Sequence, residues 1–330
     1  MPSLTLTLPV PSSASAAAQP KTRRFRLRPR DVAILREVHE YRCLQRPQIL
    51  ALMGHHGELE NTRAKANTNL DRRLRLLCRA GYLRIPETAR RTWALTGPNN
   101  IYVLTRSGAK LLEAHFPDDP TIQGISEKNF DKDLSWMFLA HELEVARCLI
   151  VPRLAARPFN IPFEYTPYDD RATMEISVPV AGKKSESVLP DGYFTLTFPG
   201  KGGEQQLVHH YLEVDKSGSV NTKKMRARYR RYFLWWKSVR DAEGAPYRFT
   251  RILTITTTPT RMAFLRKIAA EASREREGGG GKSWGGLWFT TMDAFTLSDP
   301  ISIFRPIFLP PEGEERVSLV EPFIDLSFSS

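Results

Sequence analysis

Residues 63–84 read RAKANTNLDRRLRLLCRAGYLR. Leu70, Leu74 and Leu77 recur at spacings of four and three, the period of one helical face, which predicts a helix from about Thr62 to Ala80. Gly81 is placed to end it, because glycine enters a left-handed cap without a Cβ clash. Arg63, Lys65, Arg72, Arg73, Arg75 and Arg79 face a single acid, Asp71. Arg63, Lys65, Asn67, Asn69 and Arg73 fall mainly off the leucine face. Arginine and asparagine are the side chains that pair two-pronged with guanine and adenine edges in the major groove. The expected duplex readers are therefore Arg63, Lys65, Asn67, Asn69, Arg72 and Arg73. A solvated amphipathic helix is the plain alternative.

The flanking sequence favours the DNA reading. Upstream, Val32, Leu35, Val38 and Leu44 form a helical stripe after Pro29, and a second short helix follows Arg46-Pro47. Downstream, 82–85 and 101–105 read as strands joined by a loop containing Gly97-Pro98-Asn99-Asn100, and a further helix covers Ser107–His115. Three helices, strand, loop, strand is the order of a winged helix-turn-helix, expected over 29–117. Residues 1–28 precede it as a disordered basic arm, rich in Ser, Ala and Pro, and six cations from Lys21 to Arg30 span its junction with the first helix.

Charge follows the same division. The chain of 330 residues has 48 basic and 36 acidic side chains, net +12. Residues 1–120 hold 20 basic and 10 acidic ones, so most of the excess sits where a polyanion would be met. With 41% apolar and 10% aromatic residues the chain can fill ordinary cores, which excludes global disorder. No stretch reaches the roughly 20 apolar residues of a spanning helix. Cys43, Cys78 and Cys148 show no paired spacing, which fits a reducing cytoplasm rather than a disulfide or zinc framework.

After an acidic linker (118–132) the pattern changes. A helix over about Leu134–Ile150 is followed by strand-like runs at 173–180, 193–198 and 207–214. Then come a basic helix over Asn221–Arg240, a strand at 251–257 and a helix over 261–276. This predicts an α+β chain whose second domain, 133–300, is a mixed α/β unit, with 301–330 as a C-terminal extension.

That domain carries the chemistry-bearing acids. Asp191 opens one strand, and Glu213 and Asp215 end the next, pointing to the same face because strand residues alternate. Three gathered carboxylates repel one another, and Mg²⁺ or Mn²⁺ is the usual compensation, so all three are the expected metal ligands. The basic helix follows at once, with Lys223, Lys224, Arg226, Arg228, Arg230, Arg231, Lys237 and Arg240. Lys224 and Arg228 are expected to hold DNA phosphates. His141 lies on the apolar stripe with Phe138, Val145 and Cys148. It reads either as a core histidine or as part of the site.

Asp191, then Glu213-Val214-Asp215, then a helix, resembles the PD-(D/E)XK nuclease core. The resemblance implies a restriction-endonuclease-like fold, with Glu142 or Glu144 as the acid on the preceding helix. It also implies a lysine where this chain has Asp215. A cation moved to the following helix would nominate Lys223 or Lys224. From Pro29 to Thr257 the chain also resembles the replication-relaxation family of bacterial plasmids and mobile elements. The resemblance rests on RDVAILR (30–36), NLDRRLRLLCRAGYL (69–83), YVLTRSG (102–108), AHELEV (140–145), PDGYF (190–194) and LEVD (212–215). It implies mobile-element DNA processing.

The expected protein is thus cytoplasmic and nucleoid-associated. It finds duplex DNA and nicks or relaxes it with a metal-dependent site of Asp191, Glu213 and Asp215, aided by Lys223, Glu144 and His141. A non-catalytic initiator or regulator with a degenerate nuclease fold is the alternative, favoured by Asp215 in the lysine position; an RNA-binding protein is a third. Expected partners are duplex DNA, a second copy of the chain, or the element's replication and transfer proteins, and no membrane. Three features are decoys. Gly278–Ser283 lacks the strand and leading glycine of a phosphate loop. His209-His210 sits in a strand, which splays the rings, and His55-His56 lies in a turn.

Overall fold

The computed structural model describes residues 25–54, 63–91, 100–130, 134–178, 186–200, 204–216, 222–240, 249–274, 281–321 and 323, with backbone alone over 63–68. Helix α1 (Pro29–Glu40) begins with proline in its first turn, and the Asp31 carboxylate accepts the Arg28 N–H at 2.8 Å. Strand β1 (Cys43–Gln45), helices α2 (Arg46–Gly54) and α3 (Arg63–Arg79), strand β2 (Leu83–Arg84), helix α4 (Glu87–Arg91), strand β3 (Ile101–Leu104) and helix α5 (Arg106–His115) follow. The strands form an antiparallel sheet in the order β1-β3-β2. Leu70, Leu74 and Leu77 are buried against Ile34, Leu35, Ile49 and Leu52, as their spacing requires. Gly81 turns the chain out of α3 at φ +76°, and Gly108 is needed where α5 crosses β2, since a Cβ would lie 2.3 Å from the Tyr82 carbonyl oxygen. Strand β1 and helix α4, of three and five residues, are too short to leave a periodic signal.

The second half has α6 (Trp136–Ala156), β4 (Phe163–Tyr165), the hairpin β5 (Ile176–Val178) and β6 (Glu186–Val188), and β7 (Gly192–Pro199). These precede β8 (Gln205–Asp215), α7 (Thr222–Arg240), β9 (Thr250–Thr256), α8 (Pro259–Ala272) and β10 (Leu287–Thr291). Five strands form a mixed sheet in the order β10-β9-β8-β7-β4. Strands β4, β7 and β8 run antiparallel, and β8, β9 and β10 run parallel. Helix α6 covers one face through the cluster of Val145, Leu149, Phe194, Leu212 and Leu253. Helices α7 and α8 cover the other with Tyr229, Tyr232 and Leu265 against Tyr211 and Ile252. The β5–β6 hairpin is a separate two-stranded sheet whose Ile176, Val178 and Val188 pack into that second cluster. The fold is α+β.

Two expected boundaries are not gaps in the packing. In the 118–132 segment Ile122 and Ile125 are buried in the core that also holds Val38 and Leu149, and Asp119 pairs with Arg36 at 3.1 Å. Beyond residue 300, Ile303, Phe304, Phe308, Leu319 and Val320 are buried in the same cluster. Phe289 bridges to Leu309 and Phe308 to Val317. Among the described residues no helix is long and apolar enough to cross a membrane.

Candidate functional site

Helix α3 separates its side chains sharply by face. Asn69, Arg72, Arg75 and Arg79 are exposed. At 100° per residue these four lie within about a third of the helix circumference, opposite the leucines. Arg73 does not join them, and its assignment as a base reader is corrected: it is 6% exposed and paired with Asp31, itself fully buried. Its Nε lies 2.8 Å from Asp31 Oδ1, and Phe25 covers the guanidinium at 5.0 Å. Position 73 is three residues from Leu70 and four from Leu77, so it belongs to the core stripe, and only a buried partner permits a charge there. Asp71 accepts from Arg46 at 2.5 and 3.1 Å, anchoring α3 to α2. The side chains of Arg63, Lys65 and Asn67 lie outside the described residues.

In the second half of the chain, the start of β7 meets the end of β8. The Asp191 N–H donates to the Leu212 carbonyl at 2.8 Å, and Asp191 Oδ2 accepts the Val214 N–H at 2.8 Å. Asp191 Oδ1 accepts from Arg171 at 2.9 Å and lies 3.2 Å from His141 Nε2. Burial would raise this carboxyl, but the His141 hydrogen bond and charge, with the Val214 N–H, hold it below the ordinary range. His141 is raised in turn, first by its bond to Asp191. Of its two readings, the structure takes the one beside the acids. Arg171 also donates to Glu142, which is 4% exposed and whose carboxyl burial pushes upward.

Glu213 is buried on the α7 side of the sheet. It accepts the Tyr232 hydroxyl and pairs with Arg228 at 2.6 Å. Burial pushes its carboxyl up to about 7 against the pull of Arg228, and the nearby Asp191 adds to the rise. Asp215 takes a different partner set, Arg261 at 2.8 Å and the Thr256 hydroxyl at 3.2 Å. Glu144 is bound to Arg147 at 2.5 Å and lies 3.7 Å from Lys216. The predicted acids are thus divided among separate cations. Lys223 and Lys224 lie exposed in the first turn of α7, and the helix cation that reaches Glu213 is Arg228.

This distribution bears on the metal. The sequence reading needed Mg²⁺ or Mn²⁺ to compensate three converging carboxylates. Instead Arg171 and His141 compensate Asp191, Arg228 compensates Glu213 and Arg261 compensates Asp215. Among the described residues no group of three or more His, Cys, Asp or Glu could hold a metal ion. Asp191 and Glu213 are the pair left to share one, and they fit poorly, because an ion there would have to displace bound guanidinium groups. The cavity beside Asp191, lined by Glu142, Tyr168 and Arg171, is about 20 Å³, room for one water.

The basic helix changes meaning as well. Arg226 pairs with Glu271, Arg231 with Glu186 at 2.7 Å, and Arg230 donates to the Ala272 and Arg274 carbonyls. Arg228, expected to grip DNA, is held by Glu213 and by the Leu189 carbonyl at 2.6 Å. Its spacing of four from Tyr232 was the available signal, since both then reach one acid. Arg171, in a 3-10 turn (Tyr168–Met174), carries no such signal. His209 bonds the Tyr193 hydroxyl at 2.6 Å while His210 stacks on Phe194 at 4.5 Å, on opposite faces as alternation demands. Gly278–Gly280 and His55-His56 lie outside the described residues.

The sequence model of a family described as replication-relaxation matches residues 35–244, more than half of the chain. No curated protein and no solved structure matches the chain.

Proposed function

The chain belongs to the replication-relaxation family, and from that premise we propose that it binds duplex DNA in the replication or relaxation of a plasmid or mobile element. In this reading it works in the cytoplasm at the nucleoid, and it does not cut the strand itself. The observation that carries the binding is the face of α3 that presents Asn69, Arg72, Arg75 and Arg79 to solvent, opposite a face fixed by three leucines and the Arg73–Asp31 pair. A helix so oriented, held by α1 and α2 and followed by β2 and β3, fits the reading element of a winged helix-turn-helix. The α/β half supports a nuclease-like framework used for docking, because its carboxylates are neutralised within the protein.

Fluorescence anisotropy with a labelled duplex tests the binding. The expected result is duplex affinity that falls steeply with salt and exceeds affinity for single-stranded RNA of equal length. Tighter binding to the RNA overturns the reading.

One observation favours a second reading, metal-dependent scission. Asp191 and Glu213 stand at the adjoining ends of antiparallel neighbours in the element order β7-β8-α7-β9, and a cation from α7 reaches Glu213. Under that reading Asp191 and Glu213 are the metal ligands, and Mg²⁺ would activate water. Plasmid nicking in Mg²⁺ or Mn²⁺ decides between the two.

A further inference from the structure

The turn between α1 and β1 holds Arg42 at φ +66°, the left-handed region that favours glycine. Its guanidinium lies over two rings of the other half of the molecule, Phe138 at 4.5 Å and Tyr168 at 4.3 Å. Aromatic contacts of this kind leave the N–H groups along the guanidinium edge available to bond. Among the described residues that edge has no ion pair and no hydrogen-bond acceptor. A strained backbone conformation persists where the surroundings over-determine it, and such positions gather at ligand-binding sites.

Arg42 lines a cavity of about 150 Å³ between the two halves, together with Arg84, Lys128, His39 and Asp169. Arg84 is fixed by a 3.0 Å bond to the Phe130 carbonyl and Lys128 by a 2.7 Å pair with Asp169, which also lies 3.5 Å from His39. Burial keeps His39 toward its neutral form. Three permanent cations thus line the cavity with one acid, Asp169, while Glu142 lies close enough to interact with Arg42. The volume is below the roughly 300–1,000 Å³ of pockets for drug-sized ligands, so the space suits a compact anion.

We propose that this cavity is a phosphate-binding site in which the edge of Arg42 forks onto the anion and Arg84 and Lys128 supply the remaining charge. A guanidinium fixed in its plane loses little freedom on forming such a bidentate contact. The phosphate comes from a free small molecule or from the DNA backbone, and the two sources are separable.

Calorimetric titration of the full chain with inorganic phosphate and with a nucleoside 5′-monophosphate, against chloride at equal ionic strength, tests the free source. Saturable binding that weakens at least tenfold in Arg42→Lys and Lys128→Ala is the expected result. If the backbone is the source, neither probe binds, and duplex affinity falls at least fivefold in Arg84→Gln and Lys128→Ala. Phosphate that binds all variants equally overturns the site, as does no free binding together with unchanged duplex affinity. Should Arg42→Lys fail to fold, the other two variants decide. Duplex binding that persists unchanged in them leaves the proposed function standing while this site falls. A wild-type chain that binds no duplex removes that function and leaves the free-phosphate arm in force.

Discussion

Helices α3 and α7 look alike as strings of letters. Both are dense in arginine, and from sequence both are expected to grip DNA. In the folded chain they diverge. Among its described side chains, helix α3 turns Arg72, Arg75 and Arg79 to solvent and buries Arg73. Helix α7 directs Arg226, Arg228, Arg230 and Arg231 onto carboxylates and carbonyls of its own protein. The difference lies in what each helix packs against. Helix α3 meets an apolar core in which Asp31 is buried, and this acid draws Arg73 in. Helix α7 covers a sheet whose strand ends carry acids; Arg228 compensates Glu213, and the neighbouring arginines bind Glu271, Glu186 and backbone carbonyls. Cation density along a chain therefore locates charge without saying whom it serves.

The largest expected effect comes from breaking the buried Arg73–Asp31 pair of α3. Asp31→Ala leaves Arg73 buried without its partner and should cost about 3–5 kcal/mol in urea unfolding. The double variant Asp31→Leu with Arg73→Met should recover most of this loss and keep wild-type duplex affinity. A loss of duplex affinity in that folded variant would return Arg73 to the DNA-reading set.

A second effect tests the buried end of α7. Glu213 has a folded carboxyl raised from 4.5 to about 7, so the folded state holds a proton that the unfolded chain releases. Stability is then greatest below about pH 4.5 for this group and falls as pH rises toward 7, by on the order of 2 kcal/mol. His141, also raised, adds a fall in the same direction above its ordinary value of 6.5. Chemical unfolding of Glu213→Gln across pH 5–7 should show this slope flattened. An unchanged slope would mean that Glu213 is charged throughout.

The outward face of α3 comes next. Arg72→Ala and Arg79→Ala should each weaken duplex binding by about 1 kcal/mol and lower the salt slope by about one, with stability changed by less than about 0.5 kcal/mol. The smallest effect belongs to the outer face of α7. Arg231→Ala removes a half-exposed pair with Glu186 and should cost about 0–1 kcal/mol, with duplex affinity unchanged.

Much of the fold was legible because it is written in periodicity. Leu70, Leu74 and Leu77 mark α3, and the apolar runs of 193–198 and 207–214 mark the two central strands, β7 and β8. Strand β1 and helix α4 were not legible, since so few residues establish no period. Nor was the burial of 303–320, where separate apolar residues between prolines follow neither a helical nor a strand pattern. At the candidate site the meeting of Asp191 with Glu213 was legible from strand order. The separation of Asp215 was not, because Arg261 reaches it from α8, 46 positions along the chain. Partner choice between distant charges is a tertiary fact, and local spacing carries no trace of it.

The central claim is that α3 holds duplex DNA while the carboxylates of the second half are neutralised by the protein's own cations and cut nothing. Supercoiled plasmid incubated with the full chain in Mg²⁺ or Mn²⁺ tests this most directly, at protein concentrations where a gel shift shows the DNA fully bound. The account predicts bound plasmid that stays supercoiled once the protein is stripped away. Open circles that appear with the wild-type chain and vanish with Asp191→Ala would contradict it.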